Sequence, residues 1–488
     1  MSSFKIKGLD HPAVAAGNVD TLADWYCETL GFEKIFRDDR PIWLLKAPDD
    51  SILEILPNDG KPRPERTNLT LGWSHVAYGV DDIEAGIAHL DTFKVEWISP
   101  LSPATGGGQV RTFKDPEGNT LQLVKDKTPA KARENKSIDS KKTKNMKALQ
   151  YEGNHSFTLK TVEKQPVKAG EVRLKMAYVG VCGTDVHIYH GKMDARVKPP
   201  QIIGHEVSGE IEEIGEGVTG WQIGDKVTVR PLNPGAEVPS DNGFRHIGQN
   251  LKFIGIDSAG GMQQYWNVPA FTLHRLPDNL SLALGAMIEP LAVACHDIRL
   301  AGLKSGENVV VLGGGPIGLL IALTARQKGA NVLISEVNEN RNSFIQSLGF
   351  NTVNPLSEDV LKAVEEFSDG AMADVVFEVS GVQAAVTTMT QLCRVRGRIV
   401  MVAIHPEPRQ VDLFRFFWKE IQLIGARVYE PEDFEEAIAV AASGVLPLDK
   451  LITEIAHLQD AKRIFETIDS NPAGMKYILE CNPQLATF

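Results

Sequence analysis

Apolar residues follow two rhythms along this chain, and the change of rhythm marks its elements. In "ENVVVLGGGPIGLLIALTARQKGANVLISEVN" a short apolar run, a glycine turn, an apolar stretch of helical length and a second short run succeed one another. That pattern predicts a βαβ unit of a parallel sheet. "DVVFEVSG", "GRIVMVAI" and "IQLIGAR" supply three more buried strands. From "MKALQYEG" to about residue 295 the chain is strand-rich and punctuated by Gly and Pro. Past residue 430, "DFEEAIAVAASGVLPLDKLI" and the residues after it predict helix, and "MKYILECN" predicts a last strand.

The first 125 residues carry a faint internal repeat. "LDHPAVAAGNVDTLADWYCETLGFE" and "WSHVAYGVDDIEAGIAHLDTFKVE" each predict a short strand with a histidine, an Asp turn and an amphipathic helix. Strand-like segments come after each, ending in "SILEILP" and "NTLQLV", so residues 5–124 predict two βαβββ units. "KDKTPAKARENKSIDSKKTKN" comes next, basic and nearly free of large apolar residues. It cannot bury enough to order itself and predicts a flexible tether, after which the chain begins again at Met146. The expected division is 1–126, a linker at 127–145, a catalytic domain at 146–295 completed by 435–488, and a nucleotide domain at 296–434.

Composition narrows the function. At 488 residues the chain has room for about three domains. A net charge of −12 argues against a nucleic-acid partner. No apolar run approaches the ~18 residues that span a bilayer, and "MSSFKIKGLDH" lacks the apolar core of a signal peptide. Five widely separated cysteines read as thiols in a reducing compartment. A cytoplasmic protein acting on small molecules is expected.

The turn Gly313-Gly314-Gly315-Pro316-Ile317-Gly318 fits G-x-G-x-x-G between a strand and a helix. Gly313 permits the tight turn, Gly315 lets the backbone approach a pyrophosphate, and Gly318 lets helix and strand pack closely. Glu336 ends the next strand at about the ~20-residue distance of a ribose-binding acid, which favours NAD over NADP. Arg341 weakens that preference slightly, because an arginine there can hold a 2′-phosphate. Ser380, at the end of "VVFEVS", is expected near the cofactor.

"VGVCGTDVHIYHG" places Cys182 beside Thr184, Asp185 and His187; "IIGHEVSGEIEEIGEGVTGWQIGDKV" adds His205 and Glu206, and "AMIEPLAVACHDI" adds Glu289. Thiolate, imidazole and carboxylate are natural zinc ligands. With the glycine turn, these motifs resemble, in order over residues 146–484, the zinc-containing medium-chain dehydrogenase/reductase family, in its polyol, butanediol and threonine dehydrogenase branch. The resemblance implies a GroES-like catalytic domain and a Rossmann domain. It also implies Zn²⁺ on Cys182, His205 and Glu206, with Glu289 a ligand directly or through water. Zinc would act as a Lewis acid on an alcohol. Thr184 would pass the proton outward through His187 while a hydride goes to NAD, and Asp185 would orient a ligand. Family members often carry four cysteines for a structural zinc after "GDKVTVRP"; here "LNPGAEVPSDNGFRHIGQNLKFIG" has none, so no structural zinc is expected.

In the first half, His11 and Glu54 come from one repeat, His75 and Gln122 from the other, at matching positions. These residues and "DPEGNTLQLV" resemble the vicinal oxygen chelate superfamily, the glyoxalase-like proteins, over residues 5–125. The resemblance implies one divalent metal, of unknown identity, that chelates adjacent oxygens of a substrate. Gln122 departs from the commoner Glu and cannot shuttle a proton, which leaves Glu54 as the base.

The expected protein is an α/β and α+β multidomain fusion. Its second half interconverts a secondary alcohol (polyol, sugar acid or vicinal diol) and its ketone, and its first half isomerises, epimerises or cleaves a related hydroxy-carbonyl compound. The alternatives are a single-activity dehydrogenase with a degenerate binding or dimerisation module, and a non-catalytic NAD(H) sensor. By resemblance a homo-oligomer, dimer or tetramer, is expected.

Overall fold

The computed structural model describes residues 13–37, 42–48, 51–58, 76–80, 82–103, 109–125, 145–471 and 473–485. Residues 127–144 of the tether expected at 127–145, and the histidines His11 and His75, lie outside the described residues. Contacts divide the chain into two compact units, Met1–Lys142 and Thr143–Phe488.

In the first unit the repeat is a repeat of structure. Strand Ala13–Ala16, helix Val19–Leu30 and strands Glu33–Arg37, Trp43–Lys46 and Ile52–Pro57 form one βαβββ half. Strand Val76–Gly79, helix Ile83–Thr92 and strands Glu96–Trp97, Gln109–Lys114 and Thr120–Lys125 form the other, with a two-residue strand Ser102–Pro103 added. The registers match: Ala13 pairs with Glu54 and Ala77 pairs with Gln122, each in a parallel ladder. One core joins the halves, with Leu22, Tyr26 and Ile55 from the first and Leu90, Phe113 and Leu121 from the second. Asp115 of "DPEGN" organises the last hairpin. It accepts from the Glu117 and Asn119 amides and from the Asn119 side chain, and Tyr26 from the first half donates to it at 3.1 Å.

The second unit begins one residue earlier than the sequence pattern suggests: the strand is Asn145–Gly153, with Asn145 paired to Glu163 rather than in the tether. A seven-stranded sheet is built on the long strand Glu171–Val181. It pairs with Glu206–Ile214, with Tyr265–Pro269 and with Lys476–Glu480. The segment after residue 431 is not wholly helical before its last strand. Between helices Leu448–Leu451 and Ala461–Ser470 runs strand Ile452–His457, parallel to Lys476–Glu480. Its apolar run is too short to tell strand from helix by periodicity alone. The lobe without cysteines is fastened by carboxylates. Asp241 accepts from the Val238 and Gln249 amides, and Asp257 accepts from the Phe253 amide and both ends of the Arg196 fork.

The nucleotide sheet is fully parallel. Its six strands, numbered in chain order from Asn308–Leu312 to Gln422–Gly425, lie in the order 3-2-1-4-5-6, the doubly wound arrangement with its binding crevice between strands 1 and 4. Helix Ile288–Ala301 packs against helix Pro431–Ala442 through a buried charge cluster. Asp433 accepts from His296 at 2.7 Å and from two Arg299 nitrogens at 2.7 and 2.9 Å, and Glu430 accepts from Arg299 at 2.6 Å. Burial alone would raise the Asp433 carboxyl, but the Arg299 and His296 bonds hold it well below the carboxylate range.

A carboxylate depressed in the folded state stabilises the fold above its unfolded pKa of about 4, and that contribution fades as pH falls through the folded value. Arg299→Ala should therefore cost about 3 kcal/mol at pH 7, by stripping a buried carboxylate of its guanidinium partner. In denaturant titrations of both proteins, the difference should shrink once the pH drops below about 4.

Candidate metal and cofactor site

Strand Glu171–Val181 leads straight into Cys182, whose amide donates to Asp185 Oδ2 at 2.9 Å as helix Gly183–Tyr189 begins. Across the sheet, Gly180 lies opposite Glu206, and a Cβ on Gly180 would meet Glu206 Oε2 at 2.2 Å. Gly204 has φ +100°, and a side chain there would strike Met262 and Val179, so a glycine delivers His205 to its place. Cys182 Sγ, a His205 ring nitrogen and a Glu206 carboxylate oxygen converge within 4.8 Å of one another.

These residues fit a metal ion. His205 Nδ1 and Asp185 Oδ1 are buried 3.8 Å apart, and neither has a hydrogen-bond partner. Burial opposes a charge on His205, yet Asp185, Cys182 and Glu289 hold its pKa up at about 10. A divalent ion bound among these donors would offset the acidic groups around the ring.

Two residues that the sequence pattern did not single out complete the site. Lys476, on the strand beside Gly180, is buried, ion-paired with Glu206 Oε2, and donates to the Val181 carbonyl at 3.2 Å. Lys476 thus offsets one of the acidic groups gathered here, and a divalent cation would offset others. Glu289, in the first turn of helix Ile288–Ala301, stands outside the converging trio. Its Oε1 accepts from Tyr429 Oη, the second unforeseen residue, at 2.7 Å. Burial pushes the Glu289 carboxyl up, as does Glu206, while His205 pulls it down.

The remaining predicted residues sort themselves around this trio and the glycine turn. Thr184 is half-buried in the first turn after Cys182, and His187 is partly exposed, with its pKa lowered by burial and by Lys192. At the turn, Gly313 has φ +112° and lies against Ser380, while a Cβ on Gly318 would sit 1.9 Å from the Gly313 carbonyl. Nothing lies within 4 Å of the Cβ position of Gly315, so the space above it is open, as a phosphate needs. Helix Pro316–Gln327 begins there with Pro316 at its first position, then Ile317. Glu336 is buried, accepts from the Gly314 and Asn338 amides at 2.8 Å each, and pairs with Arg341 at 3.1 Å. Ser380 donates its amide and hydroxyl to Glu378, at 3.1 and 2.6 Å.

Residues 168–278 match the alcohol dehydrogenase GroES-like domain, residues 316–443 the zinc-binding dehydrogenase domain, and residues 8–123 the glyoxalase/bleomycin resistance protein/dioxygenase superfamily. A 2-dehydro-3-deoxy-L-galactonate 5-dehydrogenase from Pseudoalteromonas atlantica is 52% identical over 340 residues, 70% of this chain and 100% of that protein. The chain belongs to the zinc-dependent medium-chain dehydrogenase/reductase family. The crystal structure of 2R,3R-butanediol dehydrogenase from Bacillus subtilis superposes with a TM-score of 0.64 at 29% identity, covering 69% of this chain and 100% of that one. A short chain alcohol dehydrogenase from Escherichia coli CFT073, complexed with NADH, has a TM-score of 0.64 at 26% identity and covers 69% and 99%.

Elsewhere in this dehydrogenase one other trio of metal-type donors gathers among the described residues: His296, Glu430 and Asp433. Arg299 already fills it with its guanidinium, so its charges are met without an ion. In the glyoxalase-like unit, Glu54 and Gln122 alternate with Leu53 and Ile55 and with Leu121 and Leu123, which are buried in the core. Both therefore lie on the sheet faces turned away from that core, and Gln122 donates to Thr112 Oγ1 at 3.3 Å. No helix among the described residues is long and apolar enough to cross a membrane.

Elemental analysis of the purified dehydrogenase should find zinc, and Cys182→Ala should lower it by about one ion per chain, since a tetrahedral site tolerates poorly the loss of its thiolate. Retention of the full zinc content by Cys182→Ala would place the ion elsewhere.

Proposed function

We propose that the second unit oxidises a secondary hydroxyl of a sugar acid to a ketone with NAD⁺, or runs the reverse reaction. The observation that carries this reading is 52% identity, over the whole length of the relative, to a dehydrogenase named for position 5 of 2-dehydro-3-deoxy-L-galactonate. A zinc ion held by Cys182, His205 and Glu206 would supply Lewis acidity that lowers the pKa of the substrate hydroxyl. Thr184 takes the hydroxyl proton by its own hydroxyl and passes it toward His187 and water. NAD⁺, held by the Gly313–Gly318 turn and Glu336, would accept the hydride from the same carbon, so that the C–H and O–H bonds break as C=O forms. Asp185 holds the Cys182 turn and faces His205. Glu336, at the end of the second strand, supports NAD over NADP by disfavouring a 2′-phosphate.

In the first unit, a divalent metal held by Glu54 and Gln122 with His11 and His75 would bind a substrate through adjacent oxygens, with Glu54 as base. The matched pairings of Glu54 and Gln122 support that reading. A 2-oxo acid carries a carboxylate and a ketone on neighbouring carbons, which is a chelating pair, so both units would serve related compounds by isomerisation, epimerisation or cleavage in the first and hydride transfer in the second. A homo-oligomer is supported by helix Leu413–Lys419, which exposes Leu413, Phe414, Phe417 and Trp418 beside the edge strand Gln422–Gly425. Five free cysteines support a cytoplasmic setting.

The test is a panel of 2-oxo-3-deoxy sugar acids, polyols and vicinal diols, run with the full chain and with residues 146–488, monitoring NADH by its absorbance. The reading expects sugar acids to be preferred and the shorter chain to keep that activity. Turnover of simple diols alone would assign the substrate to the polyol class instead.

A further inference from the structure

Val428 lies between the last strand of the nucleotide sheet, Gln422–Gly425, and helix Pro431–Ala442, and its φ is +52°. A β-branched residue in the left-handed region is strained, and such strain persists where surrounding contacts over-determine the backbone. Those contacts are visible on its C-terminal side. Tyr429 is fully buried against Phe434 and donates to Glu289. One residue further on, Glu430 takes the Arg299 guanidinium, and Asp433 takes Arg299 and His296, all on the helix that carries Glu289. The turn therefore clamps the exit of the cofactor sheet to the helix of a metal-site carboxylate.

The two carboxylates at the site are restrained by different means. Glu206 converges with Cys182 and His205 although it is paired with Lys476. Glu289 feels the attraction of His205 and Lys476, yet it stays outside the trio, with one oxygen engaged by the Tyr429 hydroxyl. A catalytic metal needs an open position for substrate, and a carboxylate that swung onto the ion would close it.

We propose that Tyr429 is a positioning residue that holds Glu289 back from the metal and so keeps the substrate position open. The strained turn at Val428 is what brings its hydroxyl to Glu289. This inference rests on the zinc dehydrogenase reading. Zinc content and turnover of the unaltered protein test that reading, whereas the kinetics of zinc release test only the role of Tyr429.

The experiment measures zinc release from the full chain into excess pyridine-2,6-dicarboxylate, together with KM and kcat for the best substrate of the panel. Tyr429→Phe frees Glu289 to bind the ion, so release should slow by about tenfold, the scale of one hydrogen bond to a charged group. KM should rise by a similar factor, as substrate must displace a carboxylate. A merely structural tyrosine would do the opposite, because loosening the site speeds release, and that result, or no change, overturns the proposal. Glu289→Gln provides the second arm, which stands even if Tyr429→Phe fails to fold. Its release should match the unaltered protein, because the side chain is not a ligand, and faster release would show Glu289 already bound and sink the idea.

Discussion

Everything around the second unit's site follows from one electrostatic constraint: acidic donors concentrated where water is scarce. Cys182, Glu206 and Glu289 gather around His205, and both glutamates and the histidine are buried. Charges in such surroundings cost several kcal/mol each unless compensated. Lys476 pairs with Glu206, and a divalent ion would offset the others. The glycines at 180 and 204, the register that sets strand Lys476–Glu480 beside Gly180, and the helix beginning at Cys182 are the backbone conditions for bringing those charges together.

The same constraint ties the cofactor domain to the metal domain. Glu336, which follows the second strand of the nucleotide sheet, accepts from the Gly314 amide, so that acid and the glycine turn are held together. At the far edge of the same sheet, the segment from Val428 to Asp433 is fastened to the helix that begins at the metal site. Hydride transfer needs alcohol carbon and nicotinamide held at fixed separation, and this clamp spans the two halves of the reaction.

Much of the site was legible in the sequence, because motifs preserve residue type, order and spacing. Cys182, His205 and Glu206 come together as their donor chemistry suggests, and Ser380 lies against Gly313. Lys476 and Tyr429 were not legible. A lysine opening a strand reads as a surface charge, and its partner Glu206 is reached only through the register of three strands. Tyr429 sits 140 residues from Glu289, with no local pattern to join them. Strand Ile452–His457 was hidden for another reason: it takes its identity from its neighbour Lys476–Glu480 rather than from its own periodicity. In the first unit the period of the repeat was visible, and the pairing of Glu54 and Gln122 shows why, since each half repeats the same parallel register.

The central claim is that the second unit gathers a zinc site from Cys182, His205 and Glu206 while Glu289 stands apart. Anomalous diffraction at the zinc edge, from crystals of the full chain, tests it most directly. The account predicts a peak in the second unit bonded to those three side chains, with Glu289 held by Tyr429 beyond bonding distance. A peak among His296, Glu430 and Asp433, or no peak in the second unit of zinc-loaded protein, would contradict it.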